Sequence, residues 1–167
     1  FRLKIFCSAS LLGFLLLLLN SSYLISFGTP ALFYISNVFI HILIGVGLIP
    51  SFTLFISKSY SQMKYTGKTA IILLIIGIIS GLWLMIVGAT TPNRWLLVSH
   101  IMVTTIGSLL LILHFFSNKP SFITHLTTKI MAFTLTISLI FPVVVKIYRN
   151  YFPENEYLVQ NPIHDIP

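Results

Sequence analysis

The sequence predicts an all-α fold, a polytopic membrane bundle of five transmembrane helices. Three observations carry this reading. The chain is 56% hydrophobic and 8% charged, against roughly 45–50% and about 25% in soluble domains. It contains five long apolar stretches. Between them stand Gly, Pro and Asn turn signals. A hydrocarbon core about 30 Å thick takes roughly 20 helical residues to cross. The 167 residues therefore hold five spans and leave no room for a sizeable soluble domain. Disorder is excluded because it needs low hydrophobicity and much charge. A disulfide scaffold is excluded because Cys7 is the single cysteine. The net charge of +7 is spread over ten Lys and Arg with no patch that follows a phosphate backbone, so nucleic acid is not a partner.

The first stretch, 5–27, carries Arg2 and Lys4 ahead of the Leu15–Leu19 run. This also resembles a secretory signal with a small polar patch at Asn20, Ser21 and Ser22. Apolar character resumes from Tyr23 to Phe27, which favours an uncleaved span. The others are 31–57, after Gly28-Thr29-Pro30; 69–89, after the polar run from Lys58 to Lys68; 95–117, after Thr91-Pro92-Asn93; and 122–147, after Asn118-Lys119-Pro120. In lipid each must be helical, because irregular backbone leaves its polar groups unsatisfied. Pro50 and Pro142 are expected to loosen the second and fifth helices, and Gly77 with Gly81 forms a GxxxG packing element in the third.

Alternating the five spans groups Arg2, Lys4, Lys58, Lys64, Lys68, Lys119 and Lys129 on one side, with Arg94, Lys146 and Arg149 opposite. The positive-inside rule then puts the N-terminus in the cytoplasm. Residues 1–148 form the transmembrane bundle, and 149–167 form an extracytoplasmic tail holding Glu154, Glu156 and Asp165. The expected location is a bacterial inner membrane, in contact with lipid. A chain opening on Phe1 and stopping at Pro167 reads as a processed or partial product.

Four of the five histidines, His41, His100, His114 and His125, lie in or beside the spans. Ionisable side chains at membrane depth point to function. No Asp or Glu occurs in the first 153 residues, which removes carboxylate proton relays and carboxylate-bridged metal centres from the bundle. His100 and His114 share one span. Fourteen residues bring the second within roughly 40° of the first and about 21 Å further along the helix, with Gly107 midway. His41 follows Pro30 by eleven residues and His100 follows Pro92 by eight, so the two sit at similar outer depth. His114 and His125 flank Pro120 and match at inner depth. Two stacked bis-histidine sites for haem are the chemistry this pattern suits. Arg94, Lys119 and Lys129 lie near the two faces, as topology charges or as partners of haem propionates.

At His100-Ile101 through Leu113-His114 the sequence resembles the di-haem cytochrome b superfamily, the integral-membrane subunits of quinone-linked oxidoreductases. Their recurring motif is a pair of histidines about fourteen apart on one span. The resemblance covers residues 31–130 and implies a four-helix haem-binding core with ligands on helices two and four. The pattern departs at Phe55, fourteen beyond His41, where a member with two histidines on each liganding helix has the second. Either His125 supplies the fourth ligand, or another subunit does, or there is one haem. Two b haems are expected, and one is the alternative.

The expected function is electron transfer across the bilayer between membrane quinone and an extracytoplasmic cytochrome or other redox subunit, as part of a multi-subunit complex; whether the chain itself counts as an enzyme stays open. The competing class is a redox-silent structural or pigment-binding subunit of a large membrane assembly. A small transporter is weakened by the missing carboxylates and the lack of paired broken helices.

Overall fold

The computed structural model describes residues 2–27, 32–118 and 124–152, and the side chains from Ala9 onward within them. The turn at Gly28-Thr29-Pro30, Lys119, Pro120, the side chains of Arg2, Lys4 and Cys7, and the tail with Glu154, Glu156, His164 and Asp165 lie outside the described residues. Five helices appear in order: α1 (Arg2–Ser26), α2 (Leu32–Ser59), α3 (Tyr65–Val87), α4 (Arg94–Asn118) and α5 (His125–Tyr151). No strand occurs among the described residues. All five helices are long and apolar enough to cross a membrane, so the chain is an all-α bundle of the multi-pass membrane type.

Helix is the conformation that closes every backbone hydrogen bond within its own segment, which lipid demands. Many of the hydroxyls inside the spans are satisfied in the same way. Ser21, Ser26, Ser36, Thr53 and Thr104 each donate to the carbonyl one turn earlier, at 2.6–2.9 Å. Helices α3 and α5 overrun the apolar stretches, α3 beginning at Tyr65 and α5 ending at Tyr151. Near these ends Lys68 Nζ stands over the Tyr60 ring at 5.6 Å and the Arg149 guanidinium over the Phe27 ring at 5.3 Å. α2 and α5 continue as helix through Pro50 and Pro142.

The helices associate as two groups. α3 and α4 form an antiparallel hairpin, and α1 packs with α2 on one side and α5 on another. The α3–α4 turn is set by Gly88, whose φ of 74° lies in the left-handed region that favours glycine. Asn93 closes the turn by donating to the carbonyls of Val87 and Gly88 at 3.1 and 3.3 Å.

Along the hairpin each glycine faces a larger residue of the other helix. A methyl at Gly67 would lie 2.9 Å from the His114 ring, one at Gly81 2.9 Å from the His100 ring, and one at Gly107 3.1 Å from Leu73 and Leu74; one at Gly77 would run into Thr104 Cγ2. Small-against-large packing of this kind lets backbones approach without a hydrophobic driving force in lipid. The GxxxG element and Gly107 are thus both used in helix contact.

The end of the bundle where α1 begins is called lower, and the opposite end upper. Lys58, Lys64, Lys68 and Lys129 lie toward the lower end of their helices, and Arg94, Lys146 and Arg149 toward the upper. The buried apolar cluster is Leu11, Leu15, Met63, Ala70, Ile71, Leu74, Leu111, Ile112, Phe115 and Met131, with Phe52, Phe55 and Ile56 of α2 against it. Leu15 sits near the middle of α1 with Leu18 packed just above it, Met63 lies in the lower connection between α2 and α3, and the others fall below the middle of their helices. Above the middle, Leu96 is the buried apolar side chain of the described residues.

Candidate cofactor site

Two imidazoles meet in the upper half. His41 of α2 and His100 of α4 have ring centres 6.4 Å apart, with planes at 81°. They come from different helix groups, and α2, none of whose residues is buried, packs its backbone along α1 rather than along α4. The rings therefore reach toward each other across the space between the two groups.

Hydrogen-bond partners assign the tautomer of each ring. His100 Nδ1 lies 2.9 Å from the carbonyl of Gly77, an acceptor only, so Nδ1 carries the proton. Ser80 Oγ, 3.2 Å from the same nitrogen, has its own proton on the Gly77 carbonyl at 2.9 Å and can only accept. Ser21 Oγ donates to the Leu17 carbonyl at 2.7 Å, so toward His41 Nδ1, at a longer 3.4 Å, it too is an acceptor. His100 thus holds its proton on Nδ1 and keeps Nε2 as a lone pair, and the longer Ser21 contact favours the same arrangement at His41. This is the state in which imidazole binds a metal, with the other nitrogen oriented by a carbonyl or hydroxyl behind it.

These residues fit a bis-histidine haem. Two imidazoles bound to one metal at about 2 Å each have ring centres about 6 Å apart, close to the separation here. Gly45, one turn below His41 and on its face of α2, has no atom within 4 Å of where a Cβ would stand, so no neighbouring side chain packs against the helix there. The buried side-chain polar atoms without a partner among the described residues are Asn20 Oδ1, Ser22 Oγ and Ser138 Oγ. None belongs to the lower cluster, and Asn20 and Ser22 flank the serine behind His41.

His114 is held differently. Its ring lies in the notch left by Gly67 and is 7% exposed. Asn118 Nδ2 donates both to the His114 carbonyl at 2.9 Å and to ring Nδ1 at 3.1 Å. The carbonyl fixes which end of the amide is nitrogen, so Nδ1 is the acceptor and Nε2 carries the proton. Thr66 Oγ1 stands 3.5 Å from Nδ1. At this level the ring that α2 presents is Phe55, 5.8 Å from Phe115. His125 is the first residue of α5 and exposed, behind Thr124, whose hydroxyl accepts from the Thr127 amide at 3.2 Å. No ring contact joins His125 to His114. The four histidines singled out in the sequence thus divide into one facing pair and two that are apart, and no group of three or more His, Cys, Asp or Glu gathers among the described residues.

Sequence reasoning missed the residues behind the rings. Thr104, one turn along from His100, donates to the His100 carbonyl at 2.6 Å, and it is Gly77 and Ser80 of α3 that meet the ring. Only the α3–α4 register reveals them. Asn118, four residues after His114 and so on the same helix face, was legible in principle.

The chain matches no protein-family model, no curated protein and no solved structure. The likeness to cytochrome b rests on histidine spacing and helix order alone.

Proposed function

We propose that the chain is a membrane b-type cytochrome subunit whose haem is held between His41 and His100. The observation that supports it is the facing pair itself: two imidazoles from different helix groups, 6.4 Å apart, each with Nδ1 occupied from behind. A b haem bound there supplies a one-electron iron couple. His41 and His100 bind through Nε2; Ser21, Ser80 and the Gly77 carbonyl orient the rings; the surrounding apolar helices exclude water. In the topology favoured by the charges, the upper half is extracytoplasmic and the N-terminus cytoplasmic. Membrane quinone and an extracytoplasmic cytochrome or similar redox subunit are the partners this reading supplies, in a bacterial inner membrane.

The test is a reduced-minus-oxidised visible spectrum with a pyridine haemochrome assay on protein extracted in mild detergent. A low-spin b spectrum that disappears in both His41→Ala and His100→Ala is the expected result. Absence of haem from gently extracted protein overturns the reading. A magnesium pigment in its place would move the chain to the pigment-binding class.

A further inference from the structure

We infer that this chain binds a single haem, in its upper half, and that the lower level is a cofactor-free plug in which His114 latches α3 to α4. The inference deepens the reading above and rests on it.

Three independent observations at the lower level oppose a second haem. First, the tautomer is wrong. A histidine ligand offers a metal one lone pair, on Nε2 or Nδ1; here Nδ1 is taken up by the Asn118 amide at 3.1 Å, which leaves the proton on Nε2. Second, the facing residue is wrong. Along α2, fourteen residues from His41 lead to Phe55, whose ring meets Phe115 at 5.8 Å and 80°. Third, the space is taken. Phe115 at 6% exposure and Ile112 and Met131 at 0% belong to one continuous cluster drawn from α1, α3, α4 and α5, and a porphyrin cannot enter without displacing it.

The His114 ring also does a different job from the His100 ring. Gly67 and Gly81 are fourteen apart on α3, as His114 and His100 are on α4, so each histidine seats on its own glycine. At Gly81 the ring edge turns toward His41. At Gly67 the ring is held by Thr66 and Asn118 within the hairpin. The same spacing therefore yields a ligand at one end and a packing knob at the other.

With no ligand pair at the lower level, about 21 Å further along the bundle, the chain would offer a single one-electron centre, held by His41 and His100 in its upper half.

The test is haem stoichiometry against polypeptide, with a redox titration of the visible bands, on wild type, His114→Gln and His125→Ala. The expected result is one haem per chain, a single one-electron transition, and unchanged haem content in both variants. Two haems per chain, or loss of half the haem in either variant, overturns this inference and leaves the cytochrome reading standing. No haem in wild type overturns the cytochrome reading itself. If His114→Gln does not accumulate, Asn118→Leu removes the donor that sets the tautomer while leaving the imidazole in place, and retention of one haem is again expected.

Discussion

The two halves of the bundle are built from the same helices and nearly the same residue types, yet the buried apolar side chains gather almost entirely in one. Below the middle, side chains from four helices close into a buried cluster, and a glycine–histidine contact locks the hairpin. Above it, the apolar side chains point mostly outward, as with Phe39, Leu43 and Trp83, and two imidazoles span the space between the helix groups. A membrane bundle gains little from burying leucine against leucine rather than against lipid, so its stability comes from close van der Waals packing. Concentrating that packing in one half leaves the other free to hold a planar group. The lower half carries most of the buried core, and the upper half holds the facing imidazoles.

The sharpest way to break this comparison is to remove a histidine from each half. His100→Ala is expected to abolish the b-haem spectrum while the protein stays folded by circular dichroism. His114→Ala is expected to keep the spectrum and lower thermal stability. The reverse pattern would exchange the roles of the halves. Next in size are cavities. Ile112→Ala, at a fully buried site, should cost about 2–4 kcal/mol in a detergent unfolding titration. Leu43→Ala, at a site 72% exposed, should change stability by less than about 0.5 kcal/mol.

Overpacking sharpens the comparison further. Gly67→Ala puts a methyl against a confined ring and should destabilise by about 1–3 kcal/mol. At Gly45, where nothing stands within 4 Å, Gly45→Ala should leave the apoprotein's unfolding midpoint nearly unchanged. A separate effect, read on the cofactor rather than on stability, belongs to the residues behind the two rings. Ser80→Ala should weaken haem retention about tenfold, measured by transfer to apomyoglobin, and Ser21→Ala less, because its contact with His41 is longer, 3.4 Å against 3.2 Å.

Several of these features were legible in local sequence. Helix periodicity puts His100 and His114 on one face, and depth counted from Pro30 and Pro92 pairs His41 with His100, which the structure brings together. Counting around Pro120 pairs His114 with His125, a pairing that runs through residues 119–123, which lie outside the described residues. Counting from a turn locates depth but says nothing of azimuth, and azimuth decides whether two rings face. His125 is exposed at the head of α5, whose packing follows α1. Gly107 illustrates the same limit: a gap midway between two histidines suits a flat cofactor or a neighbouring helix, and Leu73 and Leu74 of α3 occupy it.

By itself the sequence determined the membrane class, the five spans, the absence of carboxylates from the bundle and the candidate ligands, because each follows from composition or from a periodicity local to one helix. Only the tertiary structure decided which nitrogen of each imidazole bears the proton, which glycine receives which ring and which half is filled. Those outcomes depend on the register between helices. That register is set by small-against-large complementarity along the whole of α3 and α4, a property of two surfaces together that neither helix carries alone.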